Sequence, residues 1–231
     1  MIYGLRWVGS KRQFLRSDTS FFHLKDKIVI DVFGGGGSLS HYALEHGAKY
    51  VIYNEINPEI SYVVKMAFFN SNAKDDPRVQ KQFSQFRQGS PLLKGEQKIM
   101  RFEDFQEKPS YKNKALTAIW QQYNQLNNMF NCQTKNNLAF KSYDCYDIID
   151  EYRYTKEAVF MLDPPFSKGD NKKFYGKCFD TNRFWKYVKE KKLQFYGFDN
   201  IPHPEFKELC CYNTTMRGKK QYTFCFSNGV E

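Results

Sequence analysis

The length, composition and charge of the chain limit the kinds of protein that it can be. It has 231 residues, of which 41% are hydrophobic and 18% aromatic, enough for one substantial core. The net charge of +10 favours a polyanionic partner, with nucleic acid first and a membrane surface second. No run approaches the ~18 apolar residues of a membrane span, and the N-terminal segment lacks the apolar core of a signal peptide. The six cysteines form no C-x-x-C pair and the four histidines are scattered, so we expect reduced thiols in a cytoplasmic protein and no metal site.

The first 70 residues alternate between strand and helix patterns. The predicted elements are a strand at 27–32, a glycine-rich turn at 33–38, a helix at 38–47, a strand at 48–56 and a helix at 57–70. The first helix ends on Gly47, and the second has Asn57 as its N-cap and Pro58 at its first position. Alternation of this kind is typical of a parallel, doubly wound sheet.

The pattern breaks after Asn70. Residues 71–137 are polar, mixed in charge and weakly periodic, and only 115–130 read convincingly as a helix. The sequence therefore predicts a catalytic domain formed by residues 1–70 and 138–231, interrupted by an inserted subdomain at 71–137 that we interpret as a DNA-recognition unit.

Strand and helix patterns resume after the insertion. They predict strands at 137–144 and 157–162, a helix at 181–192, a strand at 193–199, and two strands within 208–228 joined by a turn at 217–220. The predicted fold is α/β, with a mixed, mostly parallel sheet and a C-terminal β-hairpin.

The glycine turn and a later acid point to a nucleotide-containing cofactor. Glycines between a first strand and first helix let a ligand approach the backbone at the helix N-terminus. Glu55 ends the second strand about 20 residues on, where an acid usually binds ribose hydroxyls. This separation fits NAD and S-adenosylmethionine equally well. Four glycines in a row match the dinucleotide fingerprint weakly, and a plain turn beside a solvated Glu55 is the alternative.

Asp163 distinguishes between these cofactors. It follows an apolar strand and precedes Pro164, Pro165 and Phe166, at the edge where substrates bind in such sheets. The exocyclic nitrogen of adenine is a poor nucleophile because its lone pair is delocalised into the ring. Two acceptors on its hydrogens, the Asp163 carboxylate and the Pro164 carbonyl, would make the lone pair more available, and Phe166 would stack on the base. The motif therefore favours methylation of an amino group with S-adenosylmethionine.

Six segments resemble, in order, the Dam-like (D12 class) DNA adenine methyltransferases. They are "LRWVGSKRQFL", "DVFGGGGSL", "YVIYNEINPEI", "FKSYDCYDII", "FMLDPPFSKGD" and "FYGKCFDTNRF". The resemblance implies a Rossmann-like S-adenosylmethionine-dependent methyltransferase fold and methylation of the amino nitrogen of adenine, flipped out of double-stranded DNA. The cofactor-binding residues expected from the turn and the resemblance are Trp7, Lys11, Phe33, Gly35, Gly37, Glu55, Asp147 and Asp163. A monomer or weak dimer that guards phage or host DNA from restriction is the family expectation.

The sequence departs from the family in two places. Phe166 stands where the family usually has Tyr, which keeps the stacking face and loses the hydroxyl, so we expect activity to survive. Residues 71–137 lack the usual recognition hairpin rich in arginine, asparagine and aromatic residues. The target sequence therefore does not carry over.

Three basic segments are candidate DNA contacts. Residues 108–143 contain five lysines and no Asp or Glu, which suits a phosphate-facing surface. The other two are the loop after Asp163 and the turn of the predicted hairpin. The candidate DNA-binding residues are Lys112, Lys114, Lys168, Lys172, Lys173 and Arg217. Ordinary solvated loops are the alternative for each segment.

Two other functions fit the same residues. The site could act on adenine in RNA or on the amino group of cytosine in DNA, although cytosine enzymes more often begin the motif with Ser. The chain could also be an inactive cofactor-binding protein with a DNA-binding or regulatory role. The presence of Lys11, Glu55 and Asp163 argues against inactivity.

Overall fold

The computed structural model describes residues 11–17, 19–69, 72–80, 135–166, 179–216 and 219–230. The strands are β1 (Ile28–Asp31), β2 (Tyr50–Asn54), β3 (Leu138–Lys141), β4 (Ala158–Leu162), β5 (Phe195–Asp199), β6 (Lys207–Met216) and β7 (Lys219–Asn228). The α-helices are α1 (Ser38–Glu45), α2 (Pro58–Phe69), α3 (Cys145–Tyr152) and α4 (Thr181–Lys191). Short 3₁₀ turns lie at Phe14–Arg16, Ala73–Asp75 and Lys135–Asn137.

The strands form one sheet in the order β3-β2-β1-β4-β5-β7-β6. Strands β1 to β5 pair in parallel, and β7 runs antiparallel to both of its neighbours. At the centre, Ile30 of β1 lies opposite Ile52 of β2 and Phe160 of β4. The strand order reverses at β1, which creates the crevice at the carboxyl ends where ligands bind in doubly wound sheets.

Both faces of the central strands are buried. Val29, Val51 and Val159 belong to the core under α1 and α2, whereas Ile30 and Phe160 belong to the core under α3 and α4. Alternate residues of a strand point to opposite faces, so strands covered on both sides must be apolar throughout. The near-continuous apolar runs in the sequence follow from this arrangement.

The helix ends follow the predicted local chemistry. Asn57 Oδ1 accepts hydrogen bonds from the backbone N–H groups of Glu59 and Ile60, which makes it the N-cap of α2. Gly47 follows α1 with a φ of 78°, the left-handed region that glycine adopts without strain.

The predicted α/β fold, with its mostly parallel sheet and C-terminal hairpin, is confirmed. The predicted turn at 217–220 was too long, because Lys219 and Lys220 already pair with Met216 and Thr215 of β6. Most of the predicted insertion, including the helix at 115–130, lies outside the described residues, so the domain division stays a prediction. Within the described ranges, no helix is long and apolar enough to cross a membrane.

Candidate active site

Three neighbouring strands place carboxylates at one edge of the sheet. Asp31 is the last residue of β1, Glu55 directly follows β2, and Asp163 directly follows β4. Since β1 lies between β2 and β4, the three acids surround the crevice at the strand reversal. Glu55 and Asp163 are predicted site residues, whereas the sequence motifs do not point to Asp31. Its position just before the glycine turn is the signal that could have identified it.

The glycine turn packs closely against the end of β2. A Cβ atom on Gly34 would lie 2.3 Å from Cε2 of Tyr53, so no other residue fits there without displacing the ring. The Tyr53 hydroxyl donates to the carbonyl of Gly35 at 2.7 Å. Gly35 and Gly37 have φ values of 47° and 74°. The turn therefore requires glycine for both close approach and backbone conformation.

Glu55 fixes the turn and faces the crevice. Its Oε2 accepts a hydrogen bond from Gly35 N, and its Oε1 accepts one from Asn57 N, both at 2.9 Å. Burial raises the pKa of Glu55 above its usual range, while these two bonds lower it. Each carboxylate oxygen has more than one lone pair, so Glu55 keeps the capacity to accept bonds from ligand hydroxyl groups.

Asp31 is the most confined of the three acids. Its side chain is fully buried, and Oδ2 accepts hydrogen bonds from the backbone N–H and the hydroxyl of Ser40, at 3.1 and 2.6 Å. Its Oδ1 has no hydrogen-bond partner among the described residues. The pKa of Asp31 is raised to about 7, mainly by burial; the Ser40 bonds lower it, and the charges of Asp163 and Glu55 raise it. An unpartnered buried acceptor of this kind can be satisfied by a proton on the carboxyl group, by a water molecule or by a donor group of a ligand.

Asp163 pairs directly with Lys11. Lys11 Nζ lies 2.5 Å from Asp163 Oδ1, and the side chains are 5% and 16% exposed. The ammonium also lies 4.9 Å from the ring centroid of Phe166 and 5.3 Å from that of Phe198. Burial raises the pKa of Asp163, the Lys11 charge and hydrogen bond lower it, and the charge of Asp199 raises it. The resemblance placed Lys11 on the cofactor; its contact with Asp163 was not anticipated.

Asn54 joins the strand ends around the crevice. Its Nδ2 donates to the carbonyls of Val32 and Tyr143, at 3.0 and 3.1 Å, and its Oδ1 accepts from Tyr143 N at 2.9 Å. Only an amide side chain offers both donors and acceptors in this geometry. The loop after β3 is thereby fixed to the ends of β1 and β2. Sequence analysis missed this residue because its partners are distant in the chain.

Asp147 lies in a neighbouring cleft between α3 and α4. This cleft has a volume of about 590 Å³, and its lining residues are Asp144, Tyr146, Asp147, Arg183, Lys186, Tyr187 and Glu190. Phe33 of the glycine turn packs on Phe184 with ring centroids 5.1 Å apart, and Phe184 is 6.1 Å from Tyr146. A continuous set of aromatic rings therefore connects the turn with the cleft that contains Asp147.

The DPPF segment is anchored to α4. Thr181, the first residue of α4, donates from Oγ1 to the carbonyl of Pro165 at 2.6 Å, and Pro164 is buried. The predicted residues Trp7, Lys112, Lys114, Lys168, Lys172, Lys173 and Arg217 lie outside the described residues. In the part of the chain that the structure describes, no group of three or more His, Cys, Asp or Glu side chains could hold a metal ion.

Comparisons with known proteins give distant structural likenesses only. No protein-family model matches the sequence, and no curated protein is similar to it. Among solved structures, a proposed methylase of Haemophilus influenzae is 13% identical, with 89% of each chain covered and a TM-score of 0.40. A proposed RNA methyltransferase of Pyrococcus horikoshii is 16% identical over 94% of this chain and 80% of that chain, with a TM-score of 0.42. A proposed S-adenosylmethionine-dependent methyltransferase of Streptococcus mutans is 10% identical over 95% of this chain and 50% of that one, with a TM-score of 0.45. Since every one of these scores is below 0.5, the function is inferred from the chain's own residues.

Proposed function

We propose that the chain transfers a methyl group from S-adenosylmethionine to the exocyclic amino nitrogen of adenine in DNA. The observation that carries the proposal is the juxtaposition of the Lys11–Asp163 pair with a glycine turn bonded to Glu55. A carboxylate suited to an amino substrate and a turn suited to a nucleoside lie at the ends of adjacent strands.

The charges of the site fit a cationic cofactor. Asp31, Glu55 and Asp163 bring three carboxylates to the crevice, against the single ammonium of Lys11 among the described side chains that contact them. S-adenosylmethionine, when bound, supplies an electrophilic methyl group on a positively charged sulfur. Glu55 would accept bonds from the ribose hydroxyls, and the free Oδ1 of Asp31 is an acceptor for the ammonium of the methionyl part. Phe33 and Asp147 would line the region of the adenine.

The residues around Asp163 have separate roles in the proposed reaction. The Asp163 carboxylate and the Pro164 carbonyl accept hydrogen bonds from the amino group of the target base. The Lys11 ammonium favours the ionised form of Asp163 and fixes one of its oxygens, which leaves the other for the substrate. Phe166 offers its ring to the base, and its contact with Lys11 holds that ring at the site. Because burial raises the pKa of Asp163, it is also a better proton acceptor than a free carboxylate when the methylated nitrogen loses its proton.

DNA is the proposed substrate because the chain carries a net charge of +10 and resembles DNA adenine methyltransferases at the DPPF motif. The test is transfer of a labelled methyl group from S-adenosylmethionine to duplex DNA and to RNA, with the modified base identified by mass spectrometry. N6-methyladenine in DNA is the expected product. Label in RNA alone, or in cytosine, would assign the site to a different substrate.

Replacing Glu55 by Ala should weaken binding of the cofactor. The loss of hydrogen bonds to a charged group is expected to reduce the binding free energy by about 1.5–3 kcal/mol. Isothermal titration calorimetry with S-adenosylhomocysteine measures this directly. Glu45→Gln, at the far end of α1, is the matched control and should bind as wild type does. Equal dissociation constants for Glu55→Ala and wild type would remove Glu55 from the cofactor site.

The insertion should supply phosphate contacts. If Lys112 and Lys114 neutralise phosphates, replacing both by Gln should reduce the slope of log affinity against log salt by about 1.8, near 0.9 for each lost contact. A salt titration of duplex binding by fluorescence anisotropy measures the slope. Lys25 and Lys49 lie beside the amino ends of the strands, so their double replacement by Gln is the control and should leave the slope unchanged. If the Lys112 and Lys114 variant also keeps the wild-type slope, the DNA surface lies elsewhere.

A further inference from the structure

Two cysteines face each other across the C-terminal hairpin. Cys210 of β6 is the direct pairing partner of Cys225 of β7. The pairing depends on a bulge, since Glu208 lies opposite Phe226 and the register then shifts by one residue before Cys210. Without that shift Leu209 would lie opposite Cys225. The bulge therefore brings the two thiols together.

The geometry of the ladder suits a bond between them. Directly opposed residues of antiparallel strands have side chains on the same face and Cα atoms about 4.5–5.5 Å apart. A disulfide requires Cα atoms about 4.4–6.8 Å apart. The Cys210 and Cys225 thiols are already within hydrogen-bonding reach of each other.

We propose that Cys210 and Cys225 form a site of reversible thiol–disulfide exchange with low-molecular-weight disulfides such as oxidised glutathione. The Cys210 thiolate attacks one sulfur of the external disulfide, which forms a mixed disulfide and releases one thiolate. Cys225, after losing its proton, attacks the Cys210 sulfur and releases the second thiolate. Two protein thiols and one external disulfide give one protein disulfide and two external thiols, so electrons and atoms balance.

Exposure assigns the order of attack. Cys210 is partly exposed, whereas Cys225 is fully buried and cannot meet an external reagent first. Burial and the neighbouring Cys210 raise the pKa of the Cys225 thiol, while the positive charge of Lys11 lowers it. Cys225 is therefore the resolving thiol.

The neighbouring Cys211 provides a built-in control. It is exposed, but successive residues of a strand point to opposite faces, so its thiol cannot reach Cys225.

The position of the proposed bond also matters for the rest of the molecule. Cys225 pairs with Phe198 of β5, whose ring contacts Lys11, so one residue separates the proposed bond from the Lys11–Asp163 pair.

The test uses the full chain, reduced, freed of reductant and incubated with oxidised glutathione at pH 8. The expected product has lost two hydrogen atoms, carries no glutathione at Cys210, and yields a peptide that links residues 210 and 225. Its melting temperature should rise by roughly 6–12 °C, as expected for a disulfide that closes a loop of this length, and dithiothreitol should reverse the change. Cys211→Ser should form the same bond, and Cys225→Ser should stop at glutathione on Cys210. A stable glutathione adduct on Cys210 of the wild-type chain, or no reaction at Cys210, would overturn the proposal. Both outcomes are read from the peptide map of the wild-type chain, so the test does not depend on the folding of a variant.

Discussion

Asp163→Asn is expected to slow single-turnover methyl transfer by roughly 10²–10³-fold, the scale seen when one preorganised polar contact is removed. The substitution replaces a carboxylate, which only accepts hydrogen bonds, by an amide with one accepting oxygen and one donating NH2 group. It also removes the negative charge beside the reacting centre. Quench-flow transfer of labelled methyl groups to duplex DNA measures the rate. A variant that methylates at the wild-type rate would exclude Asp163 from the chemistry.

The same substitution should also lower stability, because it removes one charge of a largely buried ion pair, in which Lys11 is 5% exposed. Removing one member of a buried ion pair costs about 3 kcal/mol or more. The double variant Lys11→Met, Asp163→Asn removes both charges and should recover much of the stability without recovering the rate. Phe166→Tyr restores the residue usual in the resembled family and should keep activity, which makes it the control for disturbance of the segment. Urea unfolding of each variant separates the effect on folding from the effect on catalysis.

Asp31→Asn is expected to make the protein more stable at pH 8 and to weaken cofactor binding. The pKa of Asp31 rises from 3.8 to about 7 on folding, mainly through burial, so the folded state binds more protons than the unfolded state between these two values. The free energy of unfolding of wild type therefore falls as the pH rises through this window, by about 4 kcal/mol in total. Asparagine carries no such penalty, although its unpartnered amide N–H offsets part of the gain, so we expect a net increase of about 2 kcal/mol at pH 8.

The measurement is urea unfolding of wild type and Asp31→Asn at pH 5 and at pH 8. The difference between the two proteins should be small at pH 5, where Asp31 is protonated in the folded wild type, and should favour the variant at pH 8. Calorimetry with S-adenosylmethionine should show binding weaker by about 1.5–3 kcal/mol, since a charged acceptor is lost. If wild type and Asp31→Asn differ by the same free energy of unfolding at both pH values, burial does not raise the pKa of Asp31.

The parts of the fold that were predictable are those governed by local chemistry. The order of strands and helices follows from apolar periodicity, from Asn57 as an N-cap and from Gly47 after α1. The positions of Glu55 and Asp163 at strand ends follow from the same pattern. The Lys11–Asp163 pair was not predictable, because it joins residues 152 positions apart and depends on how the N-terminal segment folds over the sheet. The bulge that aligns Cys210 with Cys225 is a matter of register, which alternation alone does not fix.

The three hydrogen bonds of Asn54 fix the loop after β3 without any contribution from a side chain outside the described residues. They hold this loop against the ends of β1 and β2 through atoms of Val32, Asn54 and Tyr143. The start of the segment after β3 is therefore positioned by bonds within the described part of the chain. We therefore expect an exchange of the proposed recognition segment, residues 71–137, to change target preference while these three bonds persist.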